Sequence, residues 1–142
     1  MNKLLISSRI MRVEGILLLL VAGIHLAVIP TLRSVLVRIL SPGDFRFVWP
    51  PFLLNHAVVG ILLIPLGLST LYCASGIRRG ERWTWRVGMT NAITILSLPV
   101  VLVAVMERHY FSALPFLIAT ILITLVGLSM IWPLVWVRRD LK

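Results

Sequence analysis

The sequence predicts an all-α polytopic membrane protein: four transmembrane helices in an up-down bundle, forming a single domain over residues 1–142. Three observations predict it. Hydrophobic residues make up 59% of the chain and charged residues 13%, whereas about 25% is usual for a soluble domain. A water-soluble fold of this size has too little interior to hide so much apolar surface. Four apolar runs are long enough to cross a bilayer, and the basic residues fall almost entirely between them.

The first run is Gly15 to Pro30, the second Pro51 to Ala74, the third Val87 to Met106 and the fourth Phe111 to Val137. A span needs about 20 residues at a rise of 1.5 Å each. The fourth run contains no ionisable residue and is the plainest helix. The first follows a basic start (Lys3, Arg9, Arg12), as a signal peptide does. However, no small-residue cleavage pattern follows it and His25 interrupts its apolar core, so it reads as a retained helix.

The connection Thr31 to Pro50 mixes Val35, Leu36, Val37, Ile39 and Leu40 with Arg33 and Arg38, then reaches Pro42 and Gly43. Two readings fit: a short helix in the outer interface broken at Pro42–Gly43, or an extension of helix one past Pro30. Pro65 and Pro99 fall inside helices two and three, where each removes a backbone donor. This marks packing kinks or a pocket between the two helices. Gly60 and Gly67, then Thr90, Thr94 and Ser97, then Thr120, Thr124 and Gly127 recur at helical spacing and read as close-packing stripes.

Orientation follows from counting Lys and Arg. Lys3, Arg9, Arg12, Arg78, Arg79, Arg82, Arg86, Arg138, Arg139 and Lys142 fall on one side, and Arg33, Arg38, Arg46 and Arg108 on the other. Both termini are therefore expected in the cytoplasm of a cell whose inner membrane holds the protein. All five tryptophans (Trp49, Trp83, Trp85, Trp132, Trp136) fall at ends of runs, at headgroup level. The net charge of +9 and the pI of about 11.5 are assigned to anionic headgroups and topology, not to nucleic acid. The turn GIRRGERWTWR, Gly76 to Arg86, fixes topology or binds phosphate headgroups. The lone Cys73 excludes an intrachain disulfide, and there is no zinc-type spacing.

Ionisable groups within spans are costly and point to sites. The candidates are Glu14, His25, His56 and Glu107, with His109 beside the last. His25 lies five residues before Pro30 and His56 five after Pro51, which puts both about 8 Å below one interface. Glu107 and His109 close helix three on that side. Imidazoles and carboxylates suit a transition metal, two imidazoles suit haem iron, and either group suits acid–base chemistry on a lipophilic substrate. The alternative is that each histidine simply hydrogen-bonds another helix. Glu14 lies on the His25 face, within reach of Arg82 or Arg86 for an ion pair, or at the inner end of a proton path towards His25. Asn91 and Thr90 are placed to line the same inner pocket. Asn55 is read as a cap of helix two or a bridge to helix three.

The strings GIHLAVIP and WPPFLLNHAVVGILLIPLGL, followed by a basic turn with tryptophans, resemble the small bacterial four-helix proteins called DoxX-like. The resemblance covers about the first two-thirds of the chain. It implies four helices and no particular activity. A more distant likeness is to sterol-isomerase-like membrane proteins, which hold acidic and histidine residues in a lipophilic pocket. No string matches residue by residue, so no catalytic role is carried over. Three functional expectations follow. The first is a non-catalytic subunit or lipophilic-ligand-binding bundle, alone, as a homo-oligomer or within a larger membrane complex. The second is a metal or haem protein using His25 and His56. The third is a small enzyme acting on an isoprenoid or other lipid.

Overall fold

The computed structural model describes residues 3–105 and 114–142. Among these there is no strand. Helix α1 is Lys3–Ala27, α2 Ile29–Ile39, α3 Pro42–Arg79, α4 Trp83–Val105 and α5 Leu114–Val137, followed by one 3₁₀ turn, Arg138–Asp140. Four stretches are long and apolar enough to cross a membrane: Lys3–Ile39, Pro42–Arg79, Trp83–Val105 and Leu117–Asp140. The chain is an all-α, multi-pass membrane protein.

The connection between the first two spans is almost wholly helical. Only Val28 separates α1 from α2, and its own backbone is helical (φ −77°, ψ −16°). The bonds Val28 N–H to Ile24 O (3.0 Å) and Leu32 N–H to Val28 O (2.9 Å) carry the ladder through the junction. The gap arises because Pro30 has no N–H to give. The extension reading is thus the one the structure takes.

Pro42 and Gly43 do not break a helix; they begin one. The Ser41 hydroxyl accepts the Asp44 N–H (3.2 Å) and donates to the Asp44 carboxylate (2.6 Å). This is a serine N-cap with proline in the first helical position. Helix α3 therefore starts nine residues before the expected Pro51 and runs for 38 residues, about 57 Å at the standard rise. Asn55 consequently lies exposed in mid-helix and caps nothing.

The chain forms two compact units. One comprises the chain up to Gly15 together with Ser69 onward; the other is Ile16–Leu68. In the first, the start of α1, the end of α3, α4 and α5 pack around Met11, Cys73, Ile77, Ala92, Ile95, Met130, Leu134 and Val137, all fully buried. Two glycines set the helix spacing. A Cβ on Gly88 would fall 2.9 and 3.0 Å from the Leu134 methyl carbons, and one on Gly127 would fall 2.5 Å from Leu96 Cγ. Contrary to expectation, the Thr90, Thr94 and Ser97 stripe faces outward. Thr90 and Ser97 bond carbonyls of their own helix, those of Arg86 and Thr94. The packed face of α4 is Thr84, Gly88, Asn91, Ala92, Ile95 and Pro99.

Helix α3 ends at Gly80, whose φ of +77° requires glycine. Glu81 N–H reaches Gly76 O and Gly80 N–H reaches Ile77 O, both at 3.0 Å, the bond pair of a Schellman ending. The last residue then pairs with this turn: Lys142 N–H donates to Gly80 O (2.7 Å) and Arg82 N–H to Lys142 O (2.9 Å). Glu81 accepts from Arg79 Nε and, at 2.7 Å, from Trp83 Nε1. These bonds hold its carboxyl below the ordinary range, the Arg79 bond most strongly.

Candidate functional site: a histidine pair on two helices

Within the unit Ile16–Leu68, α1 and α3 meet where Gly60 leaves room for Leu26. A Cβ on Gly60 would lie 2.7 Å from Leu26 Cγ and 3.3 Å from the Ala22 carbonyl. His25 stands beside Leu26 in sequence, and His56 one turn before Gly60. The close approach brings their rings to a centroid separation of 5.7 Å with a 36° tilt. Phe52 stacks on the His56 ring at 6.1 Å and 13°.

Each ring is oriented by its own helix. His25 Nδ1 is 3.0 Å from Val21 O, and His56 Nδ1 is 3.0 Å from Phe52 O. A carbonyl only accepts, so in each contact the imidazole nitrogen carries the hydrogen and donates. In the neutral ring this leaves Nε2 with its lone pair unprotonated, the tautomer a metal-ligating histidine adopts. The bond expected from each histidine to another helix is replaced by one to its own.

Imidazole nitrogens bind a transition metal at about 2.0–2.1 Å, so two rings separated by 5.7 Å are near enough to share one ion. Among the described residues, no group of three His, Cys, Asp or Glu side chains is placed to hold a metal. Glu107 and His109, the further expected ligands, lie outside the described residues.

Glu14 belongs to the other unit and has a different partner from the one expected. The Ser129 hydroxyl donates to Glu14 Oε1, and Oε2 is buried without a partner. Neither Arg82 nor Arg86 pairs with it; the ion pair among the described residues is Arg79–Glu81. Asn91 is 5% exposed, and its amide donates to Ser69 (2.8 Å) and Thr70 (3.0 Å), while Thr90 faces outward. Ser129 is not ionisable and so falls outside the sequence candidates; a serine inside so apolar a helix is the signal that points to it.

No family model matches the chain, and no curated protein or solved structure is significantly similar to it.

Proposed function

We propose that this small integral membrane protein is a non-catalytic metal-binding protein, in which the imidazoles of His25 and His56 hold a transition-metal centre, either a bare ion or haem iron. The observation that carries this reading is the pairing of two rings at 5.7 Å, each with Nδ1 engaged by its own backbone. A histidine kept only for packing has no reason to set its ring beside another imidazole in an apolar setting. Two ligands leave open positions on a four-coordinate ion. The same two imidazoles would be the protein's ligands to haem iron, were that the group bound. In this reading the polar side chains of the other unit serve helix packing.

The test is elemental analysis and a visible spectrum of the full chain purified in native lipid, followed by Co(II) titration in nanodiscs. A stoichiometric metal or a Soret band, lost in both His25→Leu and His56→Leu, is the expected result. Metal-free protein that shows no cobalt band overturns the reading, as does metal retained in both variants.

The orientation proposed with it puts both termini in the cytoplasm, supported by the ten basic residues on that side of the spans. Cysteine placed at Gly43 should react with an impermeant maleimide in intact cells, and cysteine at Gly80 should not. The reverse pattern would invert the topology.

A further inference from the structure

A second feature stands apart from the histidine pair. Docking of the C-terminal residue onto the Gly80–Arg82 turn brings the end of α5 beside the start of α4. Between them is an open cleft of about 680 Å³ lined by Arg82, Trp85, Arg86, Arg138, Arg139 and Leu141. Four guanidinium groups line it, and no carboxylate pairs with any of them among the described residues. Like charges gathered this way repel unless an anion sits among them.

Two independent observations indicate where the negative charge belongs. Trp85 Nε1 is buried and has no hydrogen-bond partner. A buried donor left unmade is costly, and a small side-chain shift that opens it to the cleft would let the oxygen of a bound ligand satisfy it. Arg138 lies over the Trp85 ring at 4.8 Å from its centroid, which sets its guanidinium against the indole carrying that donor. The cleft also opens at the N-terminal turn of α4, which has no acidic residue and adds the positive end of a helix dipole.

The geometry points to a phosphate-binding cleft, and we propose that its ligand is the phosphate group of an anionic phospholipid. Arginine forks match phosphate oxygens in bidentate pairs, and the indole N–H supplies one further donor. The surroundings favour a lipid over a soluble anion. The cleft sits at the ends of two membrane-crossing helices, with the Trp132–Trp136 stack, at 5.5 Å, on the last turns of α5. A second cleft of about 490 Å³ shares Arg138 and Arg139 and adds Lys3, Val135 and Trp136. The headgroup site is thereby continued by one further cation and by the apolar faces of Val135 and Trp136, which suit a glycerol backbone. Basic pockets between helices at the membrane surface bind such headgroups.

The experiment uses the full chain in nanodiscs of phosphatidylcholine containing a minor fraction of phosphatidylglycerol, with retained lipid read by native mass spectrometry. Wild type should retain phosphatidylglycerol preferentially. Arg138→Gln/Arg139→Gln should lower that retention about 30-fold, as expected for two arginines. Trp85→Phe, which keeps the ring and removes the donor, should lower it roughly tenfold. Arg33→Gln/Arg38→Gln removes the same charge from α2 and should leave it unchanged. Equal loss in the α2 variant would show a general charge effect and overturn the site. Unchanged retention in both cleft variants would overturn it too. Displacement of the lipid by inorganic phosphate would assign the cleft to a soluble anion and overturn the lipid reading.

Discussion

The two compact units differ in what their polar side chains bond. In the unit built from the start of α1, the end of α3, α4 and α5, buried polar groups reach across between helices, while the exposed Thr90 and Ser97 bond their own helix. Ser8 donates to Ala74 O (2.7 Å), Ser7 to Pro133 O (3.4 Å), Asn91 to Ser69 and Thr70, and Ser129 to Glu14. The buried polar residues Ser7, Ser8, Glu14, Thr70, Thr84 and Asn91 all belong to it. In the unit Ile16–Leu68, both histidines bond their own helix, and neither is buried. Cross-helix bonds tie spans together where lipid gives them no hydrophobic reason to associate. Own-helix bonds tie nothing together; they orient a side chain. The histidines differ from the equally self-bonded Thr90 and Ser97 in that their rings lie 5.7 Å apart on two helices.

The comparison is tested most severely at the close contacts. Gly127→Leu should destabilise the chain by about 2–3 kcal/mol, because its Cβ would meet Leu96 and the side chain beyond it has no space. Denaturant titration in mixed micelles measures this. A silent Gly127→Leu would mean that α4 and α5 do not depend on this approach.

Asn91→Leu comes next, at about 1–2 kcal/mol, since it removes two interhelical hydrogen bonds. His56→Leu should cost less than about 0.5 kcal/mol, as the hydrogen bond it removes lies within α3 and leucine keeps apolar contact where the ring met Phe52 and His25. The same variant should abolish binding of any metal. The comparison fails if His56→Leu destabilises the chain more than Asn91→Leu does.

The spans were legible in the sequence because hydropathy and length act over about 20 residues, and single side chains hardly alter the sum. The ends were less legible. Pro42–Gly43 carries the same letters as a loop breaker, and what makes it a helix start is Ser41 before it and Asp44 two positions after Pro42. The Thr90, Thr94 and Ser97 spacing identified one face of α4 but not which way it points. A hydroxyl can be satisfied by its own helix and then tolerate lipid. Equal spacing from Pro30 and Pro51 placed His25 and His56 at one depth. The position of Pro51 as a helix start was wrong, yet the depth argument needs only residue counts along continuous helices, so the rings still meet. The partner of Glu14 was not legible, because Ser129 lies 115 residues away in sequence.

The smallest expected effect lies at the turn between α3 and α4. Glu81 accepts hydrogen bonds from Arg79 and Trp83, and its carboxyl is held below the ordinary value of about 4.3. A carboxyl lowered on folding stabilises the folded state fully above its unfolded value. The contribution disappears as pH falls through the lowered value and the group becomes protonated. Thermal stability should therefore be flat from neutral pH down to about 5 in respect of this group, then fall slightly on further acidification. Solvent surrounds the Arg79–Glu81 pair, so the fall should be small and should shrink further in high salt. Trp83 is the local reporter, because its indole N–H loses its carboxylate acceptor in the same step. Its fluorescence, read with the other four tryptophans replaced by phenylalanine, should follow the same titration. Glu81→Gln should remove the acid-dependent component while leaving stability near neutral pH only slightly reduced. An unchanged acid limb in that variant would place the titrating group elsewhere, outside the Arg79–Glu81–Trp83 turn.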